Sequence, residues 1–177
     1  RGKILNCLKA DYARIFKSDV ITDLMRVLGC GVEVQSKQAK DLSAFSLENL
    51  RWNKVIICTD ADVDGFQIRT LILTMLYRLA PTLIREGYVY IVPVDNLAYS
   101  DREKAAIVDG LGGAKADINR SKGLGENDPE MMWLTTMNPD TRKLIRVMPE
   151  DVERTAQMFD LLLGDNLAGR KAHIAEC

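Results

Sequence analysis

The chain has a single histidine, only four cysteines, 12 glycines and 5 prolines in 177 residues, and a formal net charge of −1. Each shortage excludes something. With Cys7, Cys30, Cys58 and Cys177 far apart, no CxxC pair and His173 alone, no zinc framework is spelled out, and the cysteines read as reduced thiols. So little glycine and proline, beside 47% hydrophobic and 28% charged residues, excludes collagen-like and disordered chains. The longest apolar run, 68–80, is interrupted by Arg69 and Arg78 and falls short of the roughly 20 residues a membrane helix needs, so no membrane partner is expected. The opening Arg1-Gly2-Lys3-Ile4-Leu5 has neither the apolar stretch nor the cleavage site of a signal peptide and reads as the interior of a longer protein.

The near-zero net charge conceals two poles. Residues 1–54 carry 10 Lys and Arg against 6 Asp and Glu, a balance of +4, and the remainder, with 14 against 19, carries −5. Arg1, Lys3, Lys9, Arg14 and Lys17 face only Asp11 in the first seventeen positions, which gives a basic stretch attached to an acidic body.

Hydrophobic spacing predicts an amphipathic helix from Ser18 to Leu28 through Val20, Ile21, Leu24, Val27 and Leu28, stopped at Gly29. A long connection anchored by Leu42, Phe45, Leu47 and Leu50 leads to Val55-Ile56-Ile57-Cys58-Thr59, a continuous β-branched run typical of a buried parallel strand. A helix over 68–79 ends at Pro81, and Tyr88 to Val92 is a second strand, so strand, helix and strand form a right-handed βαβ unit. Beyond it, Ser100 caps a helix, Asp128-Pro129 opens another with Met131, Met132, Trp133 and Leu134 expected to pack, 144–148 is a short strand, and Pro149 begins a helix that stops at Gly164. The expected architecture is α/β, a parallel sheet with flanking helices over 1–95 and a mainly helical part over 96–177.

The most informative stretch is Thr59-Asp60-Ala61-Asp62-Val63-Asp64-Gly65, three carboxylates at alternate positions directly after a buried strand. Ligands of open α/β sheets bind beyond the carboxyl ends of the strands. Three acids so close repel one another unless a cation intervenes, and hard oxygen ligands favour Mg²⁺. Gly65 is expected to allow a sharp bend. An EF-hand loop would need Glu at the twelfth position, which is Leu71. A haloacid-dehalogenase-type phosphatase would need Thr or Val where Asp64 stands.

The segment Asp60 to Gly65 followed by Ile68-Arg69-Thr70-Leu71 resembles the DxDxDG motif of the toprim domain in type IIA topoisomerases, most closely the gyrase B family, with the B protein of topoisomerase IV the near alternative. Arg1-Gly2-Lys3-Ile4-Leu5-Asn6, Lys122-Gly123-Leu124-Gly125-Glu126, Trp133 to Pro139 and Gly164 to Ile174 are similar to other segments of that family in the same order. The resemblance implies a toprim fold, here lacking its first acidic strand, joined to the family's carboxyl-terminal tail. It implies Mg²⁺ on Asp60 and Asp62, with Asp64 at a second site. Lys3, Lys122, Gly123 and Gly125 would approach double-stranded DNA, with Arg1 a weaker candidate. The catalytic Glu of an EGDSA-type motif would precede Arg1, so the chain alone is expected to be inactive. A tyrosine of the gyrase A protein would attack the DNA backbone in an A2B2 assembly, ATP would bind in a separate amino-terminal region, and the setting would be bacterial and cytoplasmic. Two departures stand out: Gln67 replaces a usual His, and the stretch 93–98 is shorter than the family's. A non-catalytic DNA-binding or subunit-docking module remains the alternative of a different class.

Overall fold

Asp11 accepts the Arg14 N–H at 2.7 Å and so opens a short helix, α1 (Tyr12–Phe16), whose Ile15 is fully buried. The computed structural model describes residues 2–39, 42–92, 100–110, 112, 123–149 and 151–176; Arg1, Lys122, Cys177 and the short stretch 93–98 lie outside them. Helix α2 (Asp19–Leu28) follows, and Gly29, at φ +82°, ends it in the left-handed region. The predicted boundaries are right, but the buried face is Ile21, Thr22, Met25 and Leu28, while Val20, Leu24 and Val27 are exposed. At about 100° per residue the apolar arc is wider than the one face the core covers.

The expected βαβ unit is present. Strand β1 (Val55–Ile57) runs parallel to β2 (Val89–Ile91) in the register Val55↔Val89, with α3 (Val63–Leu79) and α4 (Pro81–Arg85) between them. Helix α3 begins five residues earlier than hydrophobic spacing predicts, because the Asp62 carboxylate caps it by accepting the Gly65 N–H at 2.7 Å. Met75, Leu76 and Leu79 of α3 pack with Leu83, Ile84, Val89 and the inner face of α2 into the main core, and Leu42, Phe45, Leu47 and Leu50 close over it as expected. The Arg78 side chain fastens the first segment to α3: Nη1 donates to the carbonyls of Cys7, Leu8 (2.9 Å) and Ala10 (2.7 Å), and the guanidinium lies 4.7 Å over the Tyr12 ring.

Helix α5 (Asp101–Gly110) is capped as predicted, with Ser100 Oγ accepting the Glu103 N–H, and all its residues are exposed. Helix α6 (Pro129–Met132) starts at the Asp128 cap and widens into a π-helical turn over Trp133–Met137. The expected packing of Trp133 and Leu134 is not seen: both are exposed, and Thr135 and Thr136 are buried instead. The i→i+5 hydrogen bond from Asn138 N to Trp133 O widens the turn and changes which side chains face inward.

Strand β3 (Ile145–Arg146) adds to the sheet antiparallel to β2, in the order β1-β2-β3, so a strand from the carboxyl-terminal half completes a small mixed sheet. Arg146 reaches back to the carbonyls of Glu86 and Gly87. Helix α7 (Val152–Leu163) begins at the Asp151 cap rather than at Pro149, and α8 (Leu167–Glu176) folds against it. Phe159 of α7 stacks on Tyr77 of α3 at 4.4 Å between ring centroids, and Asn6 and Lys9 reach Leu163 O and Asp165. Among the described residues no helix is long and apolar enough to cross a membrane.

Candidate functional site

The carboxyl end of β1 delivers three acids into three different local settings. Thr59 is buried and fixes the end of the strand; Asp60, next along, is exposed. Asp62 is the N-cap of α3, and Asp64 stands in that helix's first turn. The acidic segment is therefore half helix rather than one open turn. Carboxylates at a helix start are favoured by the exposed N–H groups and the positive end of the macrodipole.

Gly65 also departs from expectation. It has no positive φ, and its importance is spatial: a Cβ there would stand 2.1 Å from the Asp60 carbonyl oxygen. The close approach folds the Asp60 backbone onto the first turn of α3 and sets the distance between the strand end and the helix.

Each carboxylate gives its Oδ1 to a protein donor. Asp60 accepts the Leu124 N–H at 2.8 Å, Asp62 accepts the Gly65 N–H, and Asp64 pairs with Lys3 Nζ at 2.7 Å. Lys3, the acidic segment and the Gly123–Glu126 turn, three stretches remote in sequence, thus meet at the end of β1. That turn is a short 3-10 helix (Leu124–Glu126) whose Gly123 N–H is accepted by the Glu126 carboxylate at 3.3 Å. A Cβ on Gly123 would make only ordinary contacts, 3.7 Å to Glu126 and 3.8 Å to Asp60 Oδ1, and one on Gly125 would meet nothing within 4 Å. The fold itself therefore does not require glycine at either position.

Three residues of this site escaped prediction. Leu124 contributes a backbone N–H, Glu126 closes the turn, and Arg69 lies behind the acids, its Nη2 3.4 Å from Thr59 Oγ1, its guanidinium 5.2 Å over the Phe66 ring, and its Nε buried without a hydrogen-bond partner among the described residues. Arg69 had a signal in sequence: it lies four residues after Gly65, one turn along the capped helix. The Leu124 contact had none.

The carboxylates do not form one cage. Among the described residues no group of three or more His, Cys, Asp or Glu is gathered so that it could hold a metal ion. The donor chemistry nevertheless fits magnesium, which is ordinarily held by one or two carboxylates with waters and a substrate phosphate completing the shell. Asp60 and Asp62 are exposed hard-oxygen donors, and among the described residues no hydrogen bond or ion pair engages their second oxygens.

Comparison with known proteins agrees with this geometry. Residues 1–94 match the family described as "Toprim domain", and residues 113–175 match "DNA gyrase B subunit, carboxyl terminus". The chain is 41% identical to the DNA gyrase B subunit of Thermotoga maritima over 98% of its own length. It is 40% identical to that of Thermus thermophilus and 42% identical to that of Clostridium acetobutylicum, each over 99% of its length. It spans about 28% of the length of these relatives. By these matches the chain belongs to the toprim family, in the form carried by DNA gyrase B subunits together with their carboxyl-terminal region.

Proposed function

We propose that the chain is the magnesium- and DNA-binding portion of a gyrase B protein, acting in the cleavage and religation of double-stranded DNA as a type IIA topoisomerase. The observation that carries this reading is the meeting of Lys3, the acidic segment and the Gly123–Glu126 turn at the end of β1. Asp60 and Asp62 would hold Mg²⁺, and Asp64 would serve a second or water-mediated position. When bound, the ion supplies charge stabilisation at the 3′ oxygen and orients the scissile phosphate. The chain's own residues do the rest. The Asp62 cap and the Asp60 backbone packed on Gly65 hold two carboxylates at a fixed spacing, which spares reorganisation when charge develops. Lys3, Lys122 and, more weakly, Arg1 supply phosphate contacts. Glycines 123 and 125, which no contact among the described residues requires, leave room for a nucleic-acid backbone to approach.

The nucleophile is the tyrosine of the gyrase A protein, a further carboxylate comes from a Glu upstream, and ATP is bound elsewhere in the whole protein. The chain alone is inactive and works in the bacterial cytoplasm within the A2B2 assembly. Calorimetric titration with Mg²⁺ tests the metal reading: the Asp60→Asn, Asp62→Asn double variant should lose most of the binding heat, and equal heats would remove the metal. In the reconstituted complex, Lys3→Ala and Lys122→Ala should weaken DNA binding regardless of sequence and each lower the salt slope by about 1.

A further inference from the structure

We infer that Glu126 is a positioning residue for the metal site, acting through the backbone of its turn on Asp60. The inference rests on the reading of Asp60 as a magnesium ligand and extends it to a residue outside the proposed ligand set. The Glu126 carboxylate accepts the Gly123 N–H, and the Glu126 N–H returns to the Gly123 carbonyl at 3.1 Å, so the turn is closed from both sides. Closed in this way, it aims the next N–H, that of Leu124, at Asp60 Oδ1. A carboxylate held at one oxygen has one rotamer and one free oxygen, and metal ligands fixed by an outer partner bind more tightly than free ones. Gly123 is in extended backbone (φ −122°, ψ 146°), and the Glu126 carboxylate holds its N–H. The carboxyl-terminal region thereby sets the geometry of a ligand on the toprim strand.

The test uses this chain, with amide exchange at Leu124 measured without metal and Mg²⁺ binding measured by calorimetry. Glu126→Ala should speed exchange at Leu124, as Asp60→Ala should, and should weaken Mg²⁺ binding about tenfold. Glu126→Gln, which keeps an acceptor oxygen, should recover most of both. Glu130→Ala, which removes an equal charge from α6 outside the turn, should alter neither. Equal losses for Glu126→Ala and Glu130→Ala would mean that only distant charge is felt and would overturn the inference. So would unchanged exchange, or unchanged binding, in Glu126→Ala while Asp60→Asn, Asp62→Asn still abolishes the heat. If that double variant and the original chain give equal heats, the metal reading itself fails and takes the inference with it.

Discussion

At Asp62 one carboxylate oxygen accepts the Gly65 N–H, so substitutions there separate helix capping from charge. Asp62→Asn keeps an acceptor, whereas Asp62→Ala removes it, and the alanine variant should be about 1 kcal/mol less stable than the asparagine variant in urea unfolding. Gly65→Ala should be harsher. Its methyl has no room against the Asp60 carbonyl, and backbone cannot yield as a flexible side chain does, so a loss at the upper end of the 1–3 kcal/mol typical of overpacking, about 3 kcal/mol, is expected in the same measurement. Buried Cys7 offers a pH test. Burial pushes its thiol up to about 11, against 9.0 for the free group, and Cys30 is pushed the same way. As the folded state resists ionisation, the unfolded chain loses protons first. Stability should hold below about pH 9 and fall from there toward about pH 11, and Cys7→Ala should flatten the decline in a pH series of thermal unfolding.

Among the elements, α3 was the one most affected by what local sequence cannot express. Three acids and a glycine read as a turn, yet Asp62 caps the helix by accepting the Gly65 N–H, and the missing side chain of Gly65 admits the Asp60 carbonyl. The parallel pairing of β1 and β2 was legible, since strand, helix and strand in that order spell a βαβ unit. The outer side of α2 was not, because periodicity marks apolar faces without saying how much of them a core will reach. Arg78 shows the same limit: an arginine inside an apolar helix gives no hint that it will gather the carbonyls of Cys7, Leu8 and Ala10. Arg78→Met keeps the stem and deletes the donors. It should cost about 2 kcal/mol, within the range for hydrogen bonds to charged groups, and should raise hydrogen exchange over 7–16, ahead of the rest of the core.

For the molecule as a whole, the decisive contacts join distant segments: Lys3 to Asp64, Leu124 to Asp60, Phe159 to Tyr77 and β3 to β2. The individual motifs could be read in sequence, but their convergence could not, because neither helical nor strand periodicity carries information across such separations. Phe159→Ala should remove the stack on Tyr77, weaken the hold of α7 by about 1–2 kcal/mol and make the 152–176 hairpin the first site of limited proteolysis. The β2–β3 ladder has a consequence of a different kind. Ile91 lies opposite Ile145, so the chain between them closes a ring whose two feet are pinned side by side. Polymer statistics make such a ring tolerant of length, each doubling costing only ~0.6 kcal/mol in closure entropy. Descendants of one ancestor can therefore gain or shed residues along that circuit at almost no thermodynamic penalty, while the acids it visits on the way keep their address.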